Sequence, residues 1–176
     1  MIKHIKLLIA TSLLFMSQLA HSSNKELSPQ LQVFAPYLGT WQSTFNTPAG
    51  KPPVVDVSMW ERHLNGNAIR TLHSINDGEY GGESIIFFDK KRDSLVFYYF
   101  TTAEFFTTGT IEMLSDTSFV AYEDVEGNAD GITKVKSVSE MSPEKMTVST
   151  SYLKKGKWTE PEHRIYTRSS KSVIFK

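Results

Sequence analysis

The sequence predicts an all-β protein, an antiparallel up-and-down β-barrel of about ten strands with a short N-terminal helix capping one end. Ten segments between Trp41 and Arg168 alternate apolar and polar residues with a period of two, as strands do. The connections between these segments are short, so they cannot hold helical crossovers and neighbouring strands should pair antiparallel. A series of antiparallel strands without protected edges is expected to close on itself.

The individual elements follow from local signals. Ser28-Pro29 begins a stretch in which Leu31, Phe34, Ala35 and Leu38 repeat at helical spacing, and Gly39 ends it. Asn65-Gly66 indicates a hairpin turn, because both residues tolerate positive φ. The predicted strands are 40–46, 54–64, 68–75, 83–88, 94–101, 105–113, 118–123, 132–141, 145–153 and 158–168.

Residues 1–22 have the pattern of a secretory signal peptide. Lys3 and Lys6 precede an apolar run over 7–20, and Ala20-His21-Ser22 is a small-x-small cleavage step. The run is short for a membrane anchor, so we expect no stable membrane insertion, with an uncleaved anchor as the alternative. The prediction is a periplasmic or secreted protein in which residues 23–176 form one domain. The chain has no cysteine, so this domain folds without disulfides.

Charge and motifs exclude several function classes. Without residues 1–22 the chain carries 17 basic and 19 acidic side chains, which gives no electrostatic footprint for nucleic acid. No motif of a nucleophilic enzyme, a metalloprotease or a nucleotide-binding loop is present. The loop from Asp124 to Gly131 resembles the core of a calcium loop, but Ser137 stands where the bidentate Glu is needed. We therefore expect no metal, no cofactor and no assigned catalytic residue.

Side-chain parity predicts which face of each strand lines the barrel. Because burying an unpaired charge is expensive, charged sets are expected to face water. This rule places Val55, Val57 and Met59 inward and Asp56, Ser58 and Arg62 outward in the second strand. In the last strand it places Thr159, His163, Ile165 and Thr167 inward and Glu160, Glu162, Arg164 and Arg168 outward. The predicted inner sets are apolar but contain Ser and Thr, which leave room and hydrogen-bonding points for a ligand.

His63, His73 and His163, the three histidines after residue 22, all fall on the predicted inner parity. We expect His73 and His163 to meet in the cavity as polar anchors, with ordinary buried histidines or haem ligation as alternatives. The candidate ligand-binding residues are His73, His163, Trp60, Thr71, Tyr99, Phe105, Ser137 and Met141. The fourth and fifth strands are apolar on both parities, which leaves open whether one face forms ordinary core or a homodimer contact.

Three short stretches resemble the calycin superfamily, in particular bacterial lipocalin-like barrels of unknown function. Leu38-Gly39-Thr40-Trp41 is similar to the lipocalin G-x-W step, whose Trp closes the barrel floor. Trp60 with Leu64-Asn65-Gly66 resembles a lipocalin-like hairpin, and 86–89 with Tyr98-Tyr99 resembles its "YD" hairpin and aromatic strand. The resemblance implies structural roles for Gly39 and Trp41, with Arg164 or Arg168 packing on the Trp. The lipocalin disulfides are absent, and ten strands exceed the lipocalin eight.

The sequence thus favours an exported barrel that binds a small hydrophobic molecule without catalysing a reaction. Apolar burial would supply the affinity, and His73, His163 and nearby hydroxyls would orient a polar end. The alternatives are an isomerase or hydrolase that uses a cavity histidine as base, a haem-binding barrel, and an interaction module that docks a protein partner.

Overall fold

The fold is a closed antiparallel barrel of ten strands with one extra strand of two residues. A computed structural model describes residues 26–45, 47 and 51–176, so the predicted signal peptide lies outside the described residues. The strands are β1 Gly39–Phe45, β2 Val54–His63, β3 Ala68–Ile75, β4 Tyr80–Asp89, β5 Ser94–Thr101, β6 Phe106–Ser115, β7 Ser118–Asp124, β8 Ile132–Met141, β9 Lys145–Lys154, β10 Lys157–Trp158 and β11 Glu162–Arg168. The predicted fold class is confirmed, and the bounds of β3, β5 and β8 match the predicted ones.

The barrel closes because each strand pairs antiparallel with two neighbours. Sequential pairing runs from β1 to β9, and β11 joins β9 to β1, with Trp41 opposite Arg168. The predicted tenth strand, 158–168, is broken into β10 and β11, which both pair with β9. Pro161 lies in the break, and a proline cannot donate a hydrogen bond to a sheet ladder. The predicted two-residue hairpin at Asn65-Gly66 is a longer loop with a 3₁₀ turn over Leu64–Gly66.

The N-terminal helix, Pro29–Tyr37, is a 3₁₀ helix that plugs one end of the barrel. It buries Leu31, Phe34 and Tyr37, which recur every third residue, as the 3₁₀ repeat requires. Of the other two apolar residues at helical spacing, Leu38 is half-buried against the core and Ala35 is exposed. Pro36 lies inside the helix, where an α-helical turn would bring its ring against a carbonyl. No helix in the described part of the chain is long and apolar enough to span a membrane.

Trp41 and Arg168 fasten the plug to the seam between β1 and β11. The Arg168 guanidinium lies 3.7 Å from the centre of the Trp41 ring and donates to the carbonyls of Leu38 and Pro36. The Trp41 indole N–H donates to the Tyr37 carbonyl at 2.7 Å. Gly39 has a φ of +113°, and a Cβ there would lie 2.6 Å from Arg168 Nη1. Gly39, Trp41 and Arg168 thus meet at one place, between the helix and the β1–β11 pair.

The predicted parity of β2 is reversed, because both faces of this strand are covered. Asp56, Ser58 and Trp60 point into the barrel, while Val57 on the outer face is only 4% exposed. A C-terminal strap, residues 169–176, crosses this outer face. Its Ser169 bonds to Gln42 and its Ile174 N–H donates to Ser74, the two residues that flank Val57 in the sheet register. Val57 thus faces outward with almost no contact with water.

The predicted parity of β11 is also reversed. Tyr166 points inward and is 6% exposed, whereas Ile165 on the other parity is 53% exposed. The charged residues that share the Tyr166 parity lie at either end of the barrel. Arg164 packs over Phe45, and Arg168 packs over Trp41. Their long stems can lie against aromatic rings while the guanidinium groups stay near water, so the inner parity can carry charges.

The seam contacts lead to a stability prediction for Arg168. Arg168→Ala removes two hydrogen bonds to carbonyls and a cation–π contact, so unfolding free energy should fall by about 2 kcal/mol. Chemical denaturation measures this loss. The control is Arg92→Ala, which removes an exposed 3.5 Å pair with Asp89 and should change stability by no more than about 0.5 kcal/mol. Equal effects of the two substitutions would contradict the assigned role of Arg168.

Candidate functional site

The barrel encloses a cavity of about 280 Å³ that opens away from the helical plug. Trp60 and Phe119 form its floor and pack on Phe34 of the plug, with ring centres 6.1 and 5.3 Å from the Phe34 ring. The other apolar wall residues are Ile86, Phe97, Ile111, Ala121, Met146 and Val148. The polar wall residues are Asp56, Ser58, Thr71, His73, Ser84, Tyr99, Glu123, Ser139 and Tyr166.

The two carboxyl groups of the wall lie toward the open end of the cavity. Asp56 precedes Trp60 by four residues on β2, which corresponds to about 13 Å along a strand. Glu123 is likewise four residues beyond Phe119 on β7, near the end of that strand. The cavity therefore has an apolar floor and a polar upper wall. A small molecule with one polar end fits this division.

Asp56 is the buried charged side chain of this wall. It is 5% exposed, and its Oδ2 accepts a 2.8 Å hydrogen bond from the Tyr166 hydroxyl. Its Oδ1 is buried without a hydrogen-bond partner in the described structure. The nearest basic atom is His73 Nδ1 at 3.5 Å, which is too distant for a good hydrogen bond. One carboxylate oxygen thus remains unsatisfied beside the cavity.

His73 lies between Asp56 and a pair of tyrosine hydroxyls. Its Nε2 lies 2.7 Å from the Tyr99 hydroxyl, which lies 3.0 Å from the Tyr80 hydroxyl. Burial raises the pKa of Tyr99 and of Tyr166, so both phenols stay protonated and can donate. Asp56, His73, Tyr99 and Tyr80 come from β2, β3, β5 and β4, so four adjacent strands build one polar network.

Gly82 gives Tyr99 the space it occupies. A Cβ at Gly82 would lie 2.4 Å from the Tyr99 ring, and Gly82 belongs to the inner parity of β4 with Ser84 and Ile86. A larger residue at position 82 would displace the ring whose hydroxyl contacts His73. The glycine-rich stretch 78–82 therefore includes a packing position for the site as well as a turn.

Glu123 is the second carboxyl of the wall. Burial raises its pKa, and the 2.7 Å hydrogen bond donated by Thr107 partly offsets this effect. The ionised form is thus disfavoured by the fold. Within the described residues, no three His, Asp or Glu side chains are grouped so that they could hold a metal ion.

The structure brings together four of the eight predicted ligand-binding residues. His73, Trp60, Thr71 and Tyr99 line the cavity. Ser137 faces inward but bonds to Thr150 at 3.2 Å, and Met141 packs against the core near the plug. Phe105 is 50% exposed and borders a separate cleft at the rim, between the β5–β6 and β7–β8 loops.

The prediction that all three histidines face inward is wrong for His163 and His63. His163 is exposed on the outer face of β11, where its Nδ1 lies 2.8 Å from Ser149 Oγ. It follows the reversed parity that Tyr166 imposes, so it does not meet His73. His63 has the opposite parity to Trp60 on β2 and does not line the cavity. Arg164 packs over Phe45, not over Trp41.

Six residues of the polar wall are not among the candidates that the sequence offers: Asp56, Ser58, Ser84, Glu123, Ser139 and Tyr166. Asp56 was placed outward because burying its charge is costly. The signal that could have found it is Trp60, which shares its parity and is too large and apolar to be expected in water. Tyr166 was overlooked among charged neighbours of the same parity, although Tyr commonly buries its ring and bonds through its hydroxyl.

The geometry defines a closed barrel with a partly polar cavity that is open at one end. In comparisons with known proteins, no family model matches the chain and no curated protein matches it. The fold is consistent with a calycin-like barrel. The candidate site therefore has to be interpreted from its own residues.

The raised pKa of Glu123 predicts a pH-dependent stability difference. The folded state binds this proton more tightly than the unfolded state, so stability declines as pH rises through the folded pKa. Glu123→Gln removes the cost of burying the charge and keeps an acceptor for Thr107. The variant should melt at a higher temperature than the unmodified protein at pH 7, and the difference should vanish below the ordinary pKa of Glu. A difference that is independent of pH would contradict the assigned cause.

Proposed function

We propose that this protein is a calycin-like barrel that binds a small, mostly apolar molecule with one polar group. The observation that carries the proposal is the cavity itself, with an aromatic floor and a polar upper wall on which Asp56 Oδ1 lacks a partner. A volume of about 280 Å³ is at the small end of the range for ligand sites. The floor supplies affinity through apolar burial, and the polar wall fixes the orientation of the ligand.

Binding fits the hydrogen-bonding of His73 better than base catalysis does. A catalytic imidazole needs a free nitrogen lone pair that reaches a substrate proton. His73 Nε2 is already within 2.7 Å of the Tyr99 hydroxyl, whereas Nδ1 lies 3.5 Å from Asp56 Oδ1, too far for a good hydrogen bond. Nε2 is thus engaged by the protein. The isomerase or hydrolase alternative would require Tyr99 to move away from His73.

The calycin-like assignment is supported by the plug and seam. The Gly39-Thr40-Trp41 step lies at the closed end, and the Arg168 guanidinium stacks on Trp41, as the resemblance implies. Export to the periplasm or the medium forms part of the proposal and is supported by the pattern of residues 1–22. The preferred occupant is a small hydrophobic molecule, with no role for nucleic acid.

A cavity-filling substitution tests this proposal. Ala121→Phe places a ring on the cavity wall, so it should weaken binding of indole, a small neutral aromatic probe, more than about tenfold by blocking the space. The control Thr110→Phe adds the same ring on the exposed outer face of β6, beside Ile111, and should bind like the unmodified protein. Isothermal titration calorimetry measures both affinities.

Native mass spectrometry of protein purified from a periplasm supplies the second readout. We expect a retained small molecule in the unmodified protein and in Thr110→Phe, and its loss in Ala121→Phe. If the Ala121→Phe variant bound indole as tightly as the unmodified protein does, this result would contradict binding inside the barrel.

A further inference from the structure

We infer that the cavity selects a small organic cation, an amine with an apolar tail, over a neutral or anionic molecule of the same size. The inference rests on the proposed ligand-binding function and deepens it by naming the chemistry of the polar end. It is carried by the charges of the wall, by the unpartnered oxygen of Asp56 and by the aromatic faces around it.

The wall is acidic. Two of the described wall residues, Asp56 and Glu123, carry carboxyl groups, and none is a Lys or an Arg. The other polar wall groups are hydroxyls and the His73 imidazole. A carboxylate ligand would bring a third acidic group into a low-dielectric space beside two others, which is unfavourable. An ammonium group would meet opposite charge.

Asp56 Oδ1 shows where the ammonium group would bind. The Asp56 side chain is 7% exposed, and Tyr166 satisfies only its Oδ2. A buried carboxylate oxygen without a hydrogen bond loses its hydration without compensation. An ammonium N–H inside the cavity would donate a charge-assisted hydrogen bond to this oxygen, which is stronger than a bond between neutral groups.

The basic side chains near Asp56 do not already neutralise it. Arg164 lies next to Tyr166, but it pairs with Glu162 at 3.5 Å and packs over Phe45. Across the described residues, Asp56 has one basic neighbour, His73, at 3.5 Å. The 3.5 Å separation is too long for a good hydrogen bond, so His73 leaves Asp56 Oδ1 available to a ligand.

Aromatic faces complete the site for a cation. Trp60, Phe97, Tyr99, Phe119 and Tyr166 line the cavity. Ring faces attract cations, and the attraction grows when water is excluded. The tail of an amine would lie on Trp60 and Phe119 at the floor, while its ammonium group reaches upward to Asp56. The vertical order of apolar floor and acidic wall therefore matches an arylalkyl or alkyl amine.

Three probes that differ only in the polar end test the inference: 2-phenylethylamine, 2-phenylethanol and phenylacetate. Calorimetry at pH 7 on the full chain measures their affinities. We expect the amine to bind about 10- to 100-fold more tightly than the alcohol, the range of a charge-assisted hydrogen bond, and phenylacetate to bind most weakly.

Asp56→Asn should reduce amine affinity to the level of the alcohol and leave alcohol affinity unchanged. The matched control Asp124→Asn removes an outward carboxylate paired with Lys134 and should preserve the preference.

The outcomes separate the two proposals. An alcohol that binds as tightly as the amine would overturn cation selectivity and leave ligand binding intact. If none of the three probes binds, both proposals are overturned. Should Asp56→Asn fail to fold, the order of the three probes on the unmodified protein decides the question. The Glu123→Gln variant then serves as the second test, since loss of one wall carboxyl should narrow the difference between amine and phenylacetate.

Discussion

The burial of the Asp56 carboxylate is the constraint on which the arrangement of the polar wall depends. A charged oxygen pair inside a barrel must be compensated by donors from neighbouring strands. Tyr166 supplies one donor from β11, across the seam at which the barrel closes, and His73 supplies the nearest basic group from β3. Because Tyr166 must point inward to reach Asp56, the parity of β11 is fixed, and His163 and Ile165 face outward. One buried carboxylate thus links ring closure, strand register and the polar wall.

The two ends of the barrel have different roles: one end is packed by the helix, and the other carries the candidate site. At the closed end, the 3₁₀ helix inserts Leu31, Phe34 and Tyr37, and Trp41 with Arg168 fastens the helix to the seam. At the other end, Asp56, Tyr99 and Glu123 stand above a floor of rings. The small wall residues Ser58, Ser84, Ala121 and Ser139 keep the middle of the barrel from filling with side chains. The sequence therefore makes a cavity by placing large residues at the floor and small ones on the wall.

The fold could be predicted from the sequence because period-two alternation and short connections are local signals that tertiary packing does not overrule. The bounds of β3, β5 and β8 follow from these signals alone. The inner face could be predicted only where one face of a strand meets water. The predicted inner face of β2 is wrong, since the C-terminal strap covers the outer face of this strand and shields Val57 from water. The predicted inner face of β11 is wrong, since Tyr166 points inward although it shares its parity with arginines and glutamates. Both errors come from contacts between residues far apart in sequence, such as Tyr166 with Asp56 and Ile174 with Ser74.

The sequence predicts four residues of the cavity because their strands show clear parity or a strong aromatic signal: His73, Trp60, Thr71 and Tyr99.

The cavity also has a thermodynamic consequence for the folded state. A carboxylate oxygen without a hydrogen-bond partner costs hydration, and burial disfavours ionised Glu123. Both costs are located on the polar wall, while the plug, the seam and the aromatic floor carry the packing that offsets them. A ligand that donates to Asp56 would relieve the first of these costs. Ligand binding and stability are then linked, because any molecule that binds only the folded state shifts the folding equilibrium toward it.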